Sequence, residues 1–440
     1  MRRTGFRLVF GMLFLIATTG CEAPPSDDSA STTPAVTASA PDLTCDEDNG
    51  GIQLPEGFCA VVVADSLGRA RHLTVRDNGD LYVALRQPAD DGAIVALRDT
   101  DDDGRADVVS HFGDMGGTGI HLRGDHLYFA PDTLIMRYPL AEGELLPTGP
   151  PESVVSDFPR QRGHAVKPFE FDDAGYLYVN IGGPSNACQD STRTPGRPGL
   201  DPCPTLDDYA GVWRFQADQV GQTREAGYRY ATGIRNGVAN AWNPMTGKLY
   251  VAQHGRDDLH RLWPDRYTEE QNVELPSEEL FVVEDGSDFG WPYCYYDHLQ
   301  GKKLLNPEYG GDGQIVDRCA DAEDPILAFP GHWAPNDLLF YTGGHFPERY
   351  RGGAFLAFHG SWNRAPDQKG YKVVFIPFEG EQITGDYETF ADGFMGAETI
   401  ASPGDARFRP TGLSLGPDGS LFITDSVQGR VWRVIYTGEA

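Results

Sequence analysis

One short pattern recurs along the chain: a turn containing Gly or Asp, then a small strand of alternating aliphatic and aromatic residues. It occurs at Asp77-Asn78-Gly79-Asp80-Leu81-Tyr82-Val83, at Gly124-Asp125-His126-Leu127-Tyr128-Phe129 and at Asp173-Ala174-Gly175-Tyr176-Leu177-Tyr178-Val179. Three further copies are Thr246-Gly247-Lys248-Leu249-Tyr250-Val251, Gly352-Gly353-Ala354-Phe355-Leu356-Ala357 and Pro417-Asp418-Gly419-Ser420-Leu421-Phe422-Ile423. Alternation of this kind marks strands, and the turn residues supply the reversals between them. A second apolar run often follows, such as Ala93-Ile94-Val95-Ala96-Leu97 or Gly429-Arg430-Val431-Trp432-Arg433-Val434, as the next strand of the same sheet. Six units, spaced by about 45 residues or more, predict an all-β protein arranged as a six-bladed β-propeller. A sandwich of similar hairpins is the competing arrangement, but so many copies of one unit favour radial repetition. The longer spacings leave room for inserted loops around 185–208 and 267–318.

The N-terminus departs from this pattern. Arg2, Arg3 and Arg7 precede an apolar run from Leu8 to Ala17, and Thr18-Thr19-Gly20 leads into Cys21. Charged, apolar and small-residue regions in that order predict a signal peptide over 1–20. Gly20-Cys21 resembles a bacterial lipobox, which makes Cys21 the expected lipidation site. The following stretch, 21–43, is rich in Ser, Thr, Pro and Ala and is expected to be a disordered linker. The propeller domain then spans 44–440. The expected location is exported, membrane-anchored through the lipid alone, in the periplasm or at the cell surface.

Composition narrows the function. Fifty-three Gly and 32 Pro among 440 residues fit many turns. Lys+Arg 36 against Asp+Glu 65 gives a formal net charge of −29, which repels phosphate backbones and argues against nucleic-acid binding. There are seven cysteines; with Cys21 lipidated, six remain to pair. Six cysteines allow fifteen connectivities. Near-neighbour pairing gives Cys45-Cys59, Cys188-Cys203 and Cys294-Cys319, each worth about 3 kcal/mol in an oxidising compartment.

Several constellations carry candidate chemistry. Asp99, Asp101, Asp103 and Asp107, with Gly104 for the turn, have the spacing of a loop folded around one hard cation, expected to be a structural Ca²⁺. His164 stands just before a blade strand, where a neutral imidazole can accept a proton from an alcohol. Arg235-Asn236 offers a fork of donors for carboxylate or quinone oxygens, with an ion pair to Asp257 as the alternative role for Arg235. Gly255-Arg256 follows a strand end, where main-chain carbonyls can bind a cation. His359-Gly360-Ser361-Trp362-Asn363-Arg364 and Arg407-Phe408-Arg409 add polar and aromatic groups at other strand edges. Three arginine-bearing edges converging on one face suit a ligand with several carboxylates.

Together, Arg235-Asn236, Phe289-Gly290-Trp291-Pro292, His359 to Arg364, and Arg409-Pro410 before Pro417-Asp418-Gly419 resemble the PQQ-dependent glucose/sorbosone dehydrogenase family, in particular its sorbosone-dehydrogenase-like branch. The resemblance runs from Leu54 to the last strand. It implies PQQ and Ca²⁺ as cofactors, a sugar, sugar aldehyde or polyol as substrate, and an external electron acceptor such as a cytochrome or quinone. It also implies His164 as general base, with Arg235 and Asn236 at the quinone oxygens and Gly255 and Arg256 carbonyls on a catalytic Ca²⁺. Arg409, Arg364 and Trp362 are the remaining implied cofactor-binding residues. The match departs at Arg256, where the glucose branch has proline, at Thr411, where a second arginine is expected, and at Gly163, where that branch has aspartate. The alternatives are a non-catalytic propeller binding glycans or a protein, and a calcium-dependent lactonase.

Overall fold

A computed structural model describes residues 43–89, 92–364 and 368–438. The signal peptide, Cys21 and nearly all of the linker expected from the sequence lie outside the described residues. Six sheets of antiparallel strands account for most of the chain. The first blade comprises Ala70–Val75, Leu81–Ala89, Gly92–Arg98 and Val108–Phe112. The second runs through Gly117–Arg123, His126–Pro131, Ile135–Pro139 and Glu152–Ser156, and the third through Phe169–Phe171, Tyr176–Ile181, Gly211–Gln216 and Tyr228–Thr232. Gly237–Asn243, Lys248–Gln253, Glu278–Val283 and Leu327–Phe329 form the fourth. The fifth is Pro335–Phe340, Ala354–Phe358, Lys372–Ile376 and Glu388–Ala391.

The sixth blade closes the ring. Its strands Pro410–Leu415, Leu421–Asp425 and Val431–Tyr436 come from the C-terminal end, and its outermost strand, Phe58–Ala64, comes from the start of the domain. Phe58 pairs with Tyr436 and Ala60 with Val434 across that seam. The first strands of the blades touch in sequence around the ring, and that of the sixth returns to that of the first. Every repeated unit found in the sequence is the second strand of a blade. The turn before it reverses the chain through a glycine in the left-handed region, as at Gly79 (φ 89°) and Gly419 (φ 85°), where other residues are strained.

Each blade buries both faces, so the apolar cores lie between neighbours. Tyr82, Ile94, Ile120 and Phe129 pack between the first and second blades. Between the fifth and sixth, Phe58 meets Phe346, Tyr350 and Phe390 edge-on at 4.8, 5.4 and 5.1 Å. Such aromatic pairs add about 0.5–1.5 kcal/mol each beyond the area they bury. The seam is thereby held by side chains as well as by the strand ladder.

The insertions sit on the third and fourth blades. Cys188–Cys203 closes a loop within the third, and Cys294–Cys319 ties a hairpin (Cys294–Asp297 with Lys302–Leu305) carried by the fourth. Cys45–Cys59 fastens the domain's first residues to the seam strand. These are the near-neighbour pairs. Arg256 and Glu308 form an ion pair with both side chains buried, joining the fourth blade to its insertion.

Candidate functional site

In each blade the first strand starts where the second one ends, because the two are antiparallel. Residues just before a first strand and just after a second strand therefore share one rim of the ring. His164, Arg235 and Arg409 are of the first kind; His254 to Asp257 and His359 to Arg364 are of the second.

The third and fourth blades build one half of the site. His164 has φ 52° and its Nδ1 lies 2.6 Å from the Gly183 carbonyl. The Gly183 amide in turn donates to the Arg235 carbonyl at 2.7 Å. Gly182 permits this closeness, since a Cβ there would fall 2.7 Å from that of His164. With Nδ1–H donating to Gly183, Nε2 keeps its lone pair. Burial, and then the positive charge of Arg235, push the imidazole down to about 3, so it is neutral across the physiological range.

Arg235 is buried, and its Nη2 donates to Asp257 Oδ2 at 2.8 Å and to Asn186 Oδ1 at 3.0 Å. The ion pair foreseen as an alternative for Arg235 is present. Its Nη1 donates to the Gly255 carbonyl at 2.7 Å, the very atom expected to bind calcium. A cation there would have to take that oxygen from the guanidinium. Although burial disfavours its charge, Asp257 is held below the ordinary carboxylate range by Arg235 and Arg193. Asn236 is buried beside Arg235, and its carbonyl accepts from the His254 amide at 2.9 Å. The Arg256 side chain points into the insertion, leaving only its main chain to serve the rim.

The other half is more basic. Arg409 Nε and Nη2 donate to the carbonyls of His359 and Gly360, both at 2.9 Å. Beside it lies Arg71, from the first blade's inner strand, whose Nε is sealed from solvent with no hydrogen-bond partner. Burial and the charges of Arg86, Arg409 and Arg69 lower the Arg71 guanidinium to about 10. Arg86 is neutralised by Asp132 at 2.8 Å, but Arg71 has no ion-pair partner among the described residues. Lys167, just ahead of the third blade's first strand, is buried and pushed down to about 8 by burial.

The two halves join through imidazoles. His254 is pushed down to about 4 by burial and feels Arg235, while His359, also held neutral by burial, feels Arg409, Arg71 and His254. His164, Arg235 and Arg409 thus belong to one continuous set of groups.

Two expected members are placed differently. Arg364 spends its donors on the carbonyls of Val273 and Gly331 and on Glu274, so its guanidinium ties loops together away from Arg71 and Arg409. Trp362 is 56% exposed, with the Arg193 guanidinium 5.3 Å from its ring centre, and Arg193 bridges Asp257 and Asp258. Trp362 therefore lines the outer lip. In the acidic loop the carboxylates of Asp99, Asp101 and Asp107 come within 4.8 Å of one another. Asp103 is turned to its own loop, accepting from the Arg105 amide at 2.8 Å, and does not join them.

Arg71, Asn186, Gly182 and Gly183 were not picked out from the sequence. Arg71 occupies in the first blade the strand-start position that Arg409 flanks in the sixth, and that shared position was the available signal.

The rim fits a tricarboxylate quinone. Arg71 is half-buried with an orphaned Nε and has Arg409 near it, Lys167 is a further cation whose ammonium donates to the Ala165 carbonyl, and three negative charges would compensate them.

The chain is similar to several known proteins. A PQQ-dependent pyranose dehydrogenase of Coprinopsis cinerea is 27% identical over 237 residues, covering 46% of this chain and 30% of that protein. An aldose sugar dehydrogenase of Escherichia coli is 23% identical over 271 residues, 60% of this chain and 58% of its own length. The chain thus spans only part of these curated relatives. Among solved structures, the holo PQQ domain of the Coprinopsis cinerea pyranose dehydrogenase superposes with a TM-score of 0.71 at 19% identity, covering 90% of this chain and 99% of that one. A calcium structure of the Trichoderma reesei family AA12 enzyme gives 0.70 at 18%, covering 92% and 99%. Residues 52–437 match the TrAA12-like family as a whole, and the chain belongs to it.

Proposed function

We propose that this protein is a PQQ- and Ca²⁺-dependent dehydrogenase that oxidises a sugar, sugar aldehyde or related alcohol and hands the electrons to an external acceptor. The observation that carries this reading is the cluster of Arg71 with Arg409, Arg86 and Arg69, in which the half-buried Arg71 has its Nε sealed from solvent without a hydrogen-bond partner. A bound anion would compensate such a cluster of positive charge. Two relatives named as PQQ-dependent sugar or pyranose dehydrogenases support the cofactor, and these with an aldose sugar dehydrogenase support the substrate class.

Arg71, Arg409 and Lys167 would hold the cofactor's carboxylates, Arg235 and Asn236 would reach its quinone oxygens, and the Gly255 and Arg256 carbonyls would hold calcium. Bound there, PQQ supplies a two-electron hydride acceptor and calcium a Lewis acid. His164 takes the substrate hydroxyl proton on Nε2, while Gly183 holds the ring by Nδ1. Asp257 fixes Arg235 in place. Trp362 and Arg193 offer a sugar ring an aromatic face at the lip.

Within this class we favour the sorbosone-type branch, on the motifs named above. We also propose a structural Ca²⁺ at Asp99, Asp101 and Asp107, and export as a lipoprotein through Cys21; three disulfides suit an oxidising compartment. The test is dye-linked oxidation of a panel of aldoses and sugar aldehydes after loading purified protein with PQQ and Ca²⁺. No turnover and no PQQ uptake would leave the glycan-binding propeller as the better reading.

A further inference from the structure

Below the rim, the first strands of all six blades line a second cavity of about 230 Å³ in the middle of the ring. Four of its lining groups are ionisable, each from a different blade: His72, His121, Glu170 and Asp337. No Lys or Arg lines it, although two carboxylates do. They stand as two pairs: His121 Nε2 is 3.3 Å from Glu170 Oε1, and His72 Nε2 is 3.9 Å from Asp337 Oδ1. The His72 Nε2–H already donates to the Asn336 carbonyl at 2.7 Å, and Asp337 accepts from the amides of Leu338 and Leu413 at 3.0 and 2.7 Å. Those two groups are fixed by the backbone. His121 and Glu170 are less committed: the imidazole reaches the Phe169 carbonyl and the carboxylate the Trp242 amide.

A spacing of 3.3 Å between a ring nitrogen and a carboxylate oxygen matches the edge of a tetrahedron with metal–ligand bonds of about 2.0–2.1 Å. Burial and the nearby charge of Asp337 push Glu170 well up, and burial pushes Asp337 up to about 6. An imidazole–carboxylate donor set selects a borderline ion over calcium.

We propose that this channel cavity binds a divalent cation of the zinc class, chelated by His121 Nε2 and Glu170 Oε1, with water and the facing Asp337 completing its surroundings. The site lies apart from the cofactor rim and does not depend on the dehydrogenase reading. It would tie the neighbouring second and third blades together at the channel wall.

Zn²⁺ is the probe. Crystals of the whole chain soaked in Zn²⁺ and measured on both sides of the zinc edge should show an anomalous peak between His121 and Glu170. Calorimetric titration of the whole chain with Zn²⁺ should show saturable binding of one ion at this site. Glu170→Gln, close in shape to the native residue, should remove that peak and weaken this binding at least tenfold. Asp337→Asn should keep the peak and weaken binding less. Zinc found only at the acidic loop or the rim, or a channel peak unchanged by both Glu170→Gln and His121→Asn, overturns the proposal. A folded Glu170→Gln protein with unaltered zinc affinity does so equally.

Discussion

The upper rim and the channel below it are built on the same six strands, yet their charge demands are opposite. At the rim, Arg71 lies among three other arginines with no anion of its own. One residue along the same strand, His72 faces a cavity holding two carboxylates and no cation. A net charge of −29 foretells neither. Local sign is set by which side of a strand a residue takes and how far along it lies. On the readings proposed above, each region would be completed by a ligand of the charge it lacks.

Removing the proton acceptor should break the rim's function most. His164→Ala is expected to lower kcat by about 10²–10⁴-fold while leaving PQQ affinity unchanged, checked by steady-state kinetics beside a binding titration. A proportional fall in PQQ affinity would show that His164 holds the cofactor instead.

Next comes the insertion over the rim. Replacing Cys188 and Cys203 with serine should cost about 3 kcal/mol of stability in denaturant unfolding. Arg193 lies inside that loop, so KM for the sugar should rise as its tie to Asp257 loosens. Zinc binding in the channel should not change.

Arg71→Leu sharpens the contrast by sign. Without cofactor the variant should be more stable by about 1 kcal/mol, a rise of about 2 °C in Tm, because an unpaired charge crowded by other arginines is gone. With PQQ present the order should reverse. A variant less stable than wild type in both states would make Arg71 merely structural.

The smallest effect is the pH dependence of the apo-protein, in which the two regions oppose each other. His164 and His254 have folded values of about 3 and about 4, below the unfolded 6.5. The unfolded chain therefore binds more protons, and their contribution to stability is lost as pH falls from 6.5 towards 4. Asp337, raised from 3.8 to about 6, gains its proton first in the folded state and adds stability over the lower part of that window. Asp337→Asn should thus steepen the loss of stability below about pH 6, measured by thermal unfolding at intervals of pH. An unchanged slope would remove Asp337 from the balance.

The fold was largely legible because propeller blades repeat. Each copied turn and strand, from Leu81 to Leu421, proved to be a blade's second strand, and near-neighbour cysteines are paired. First strands were harder to see. They line the channel and the rim, so polar residues such as His72, His121 and Glu170 interrupt their alternation. That is why Arg71 escaped notice while Arg409, carried by the Arg409-Pro410 motif ahead of Pro417-Asp418-Gly419, did not. Sequence order also brought Arg364 to the site, whereas the Glu274 carboxylate and two carbonyls draw it away. Such competition for a guanidinium depends on loops distant in sequence. Asn186, whose one side chain joins Arg235 to Asp257, shows no pattern around it that would announce the role.

The most direct test is equilibrium binding of PQQ to the purified apo-protein with Ca²⁺ present, for wild type, Arg71→Ala, Arg409→Ala and His164→Ala. The expected result is saturable binding of one PQQ per chain, weakened at least tenfold in each arginine variant and unchanged in His164→Ala. Absence of binding, or equal affinity in all four proteins, would contradict a rim built for an anionic quinone.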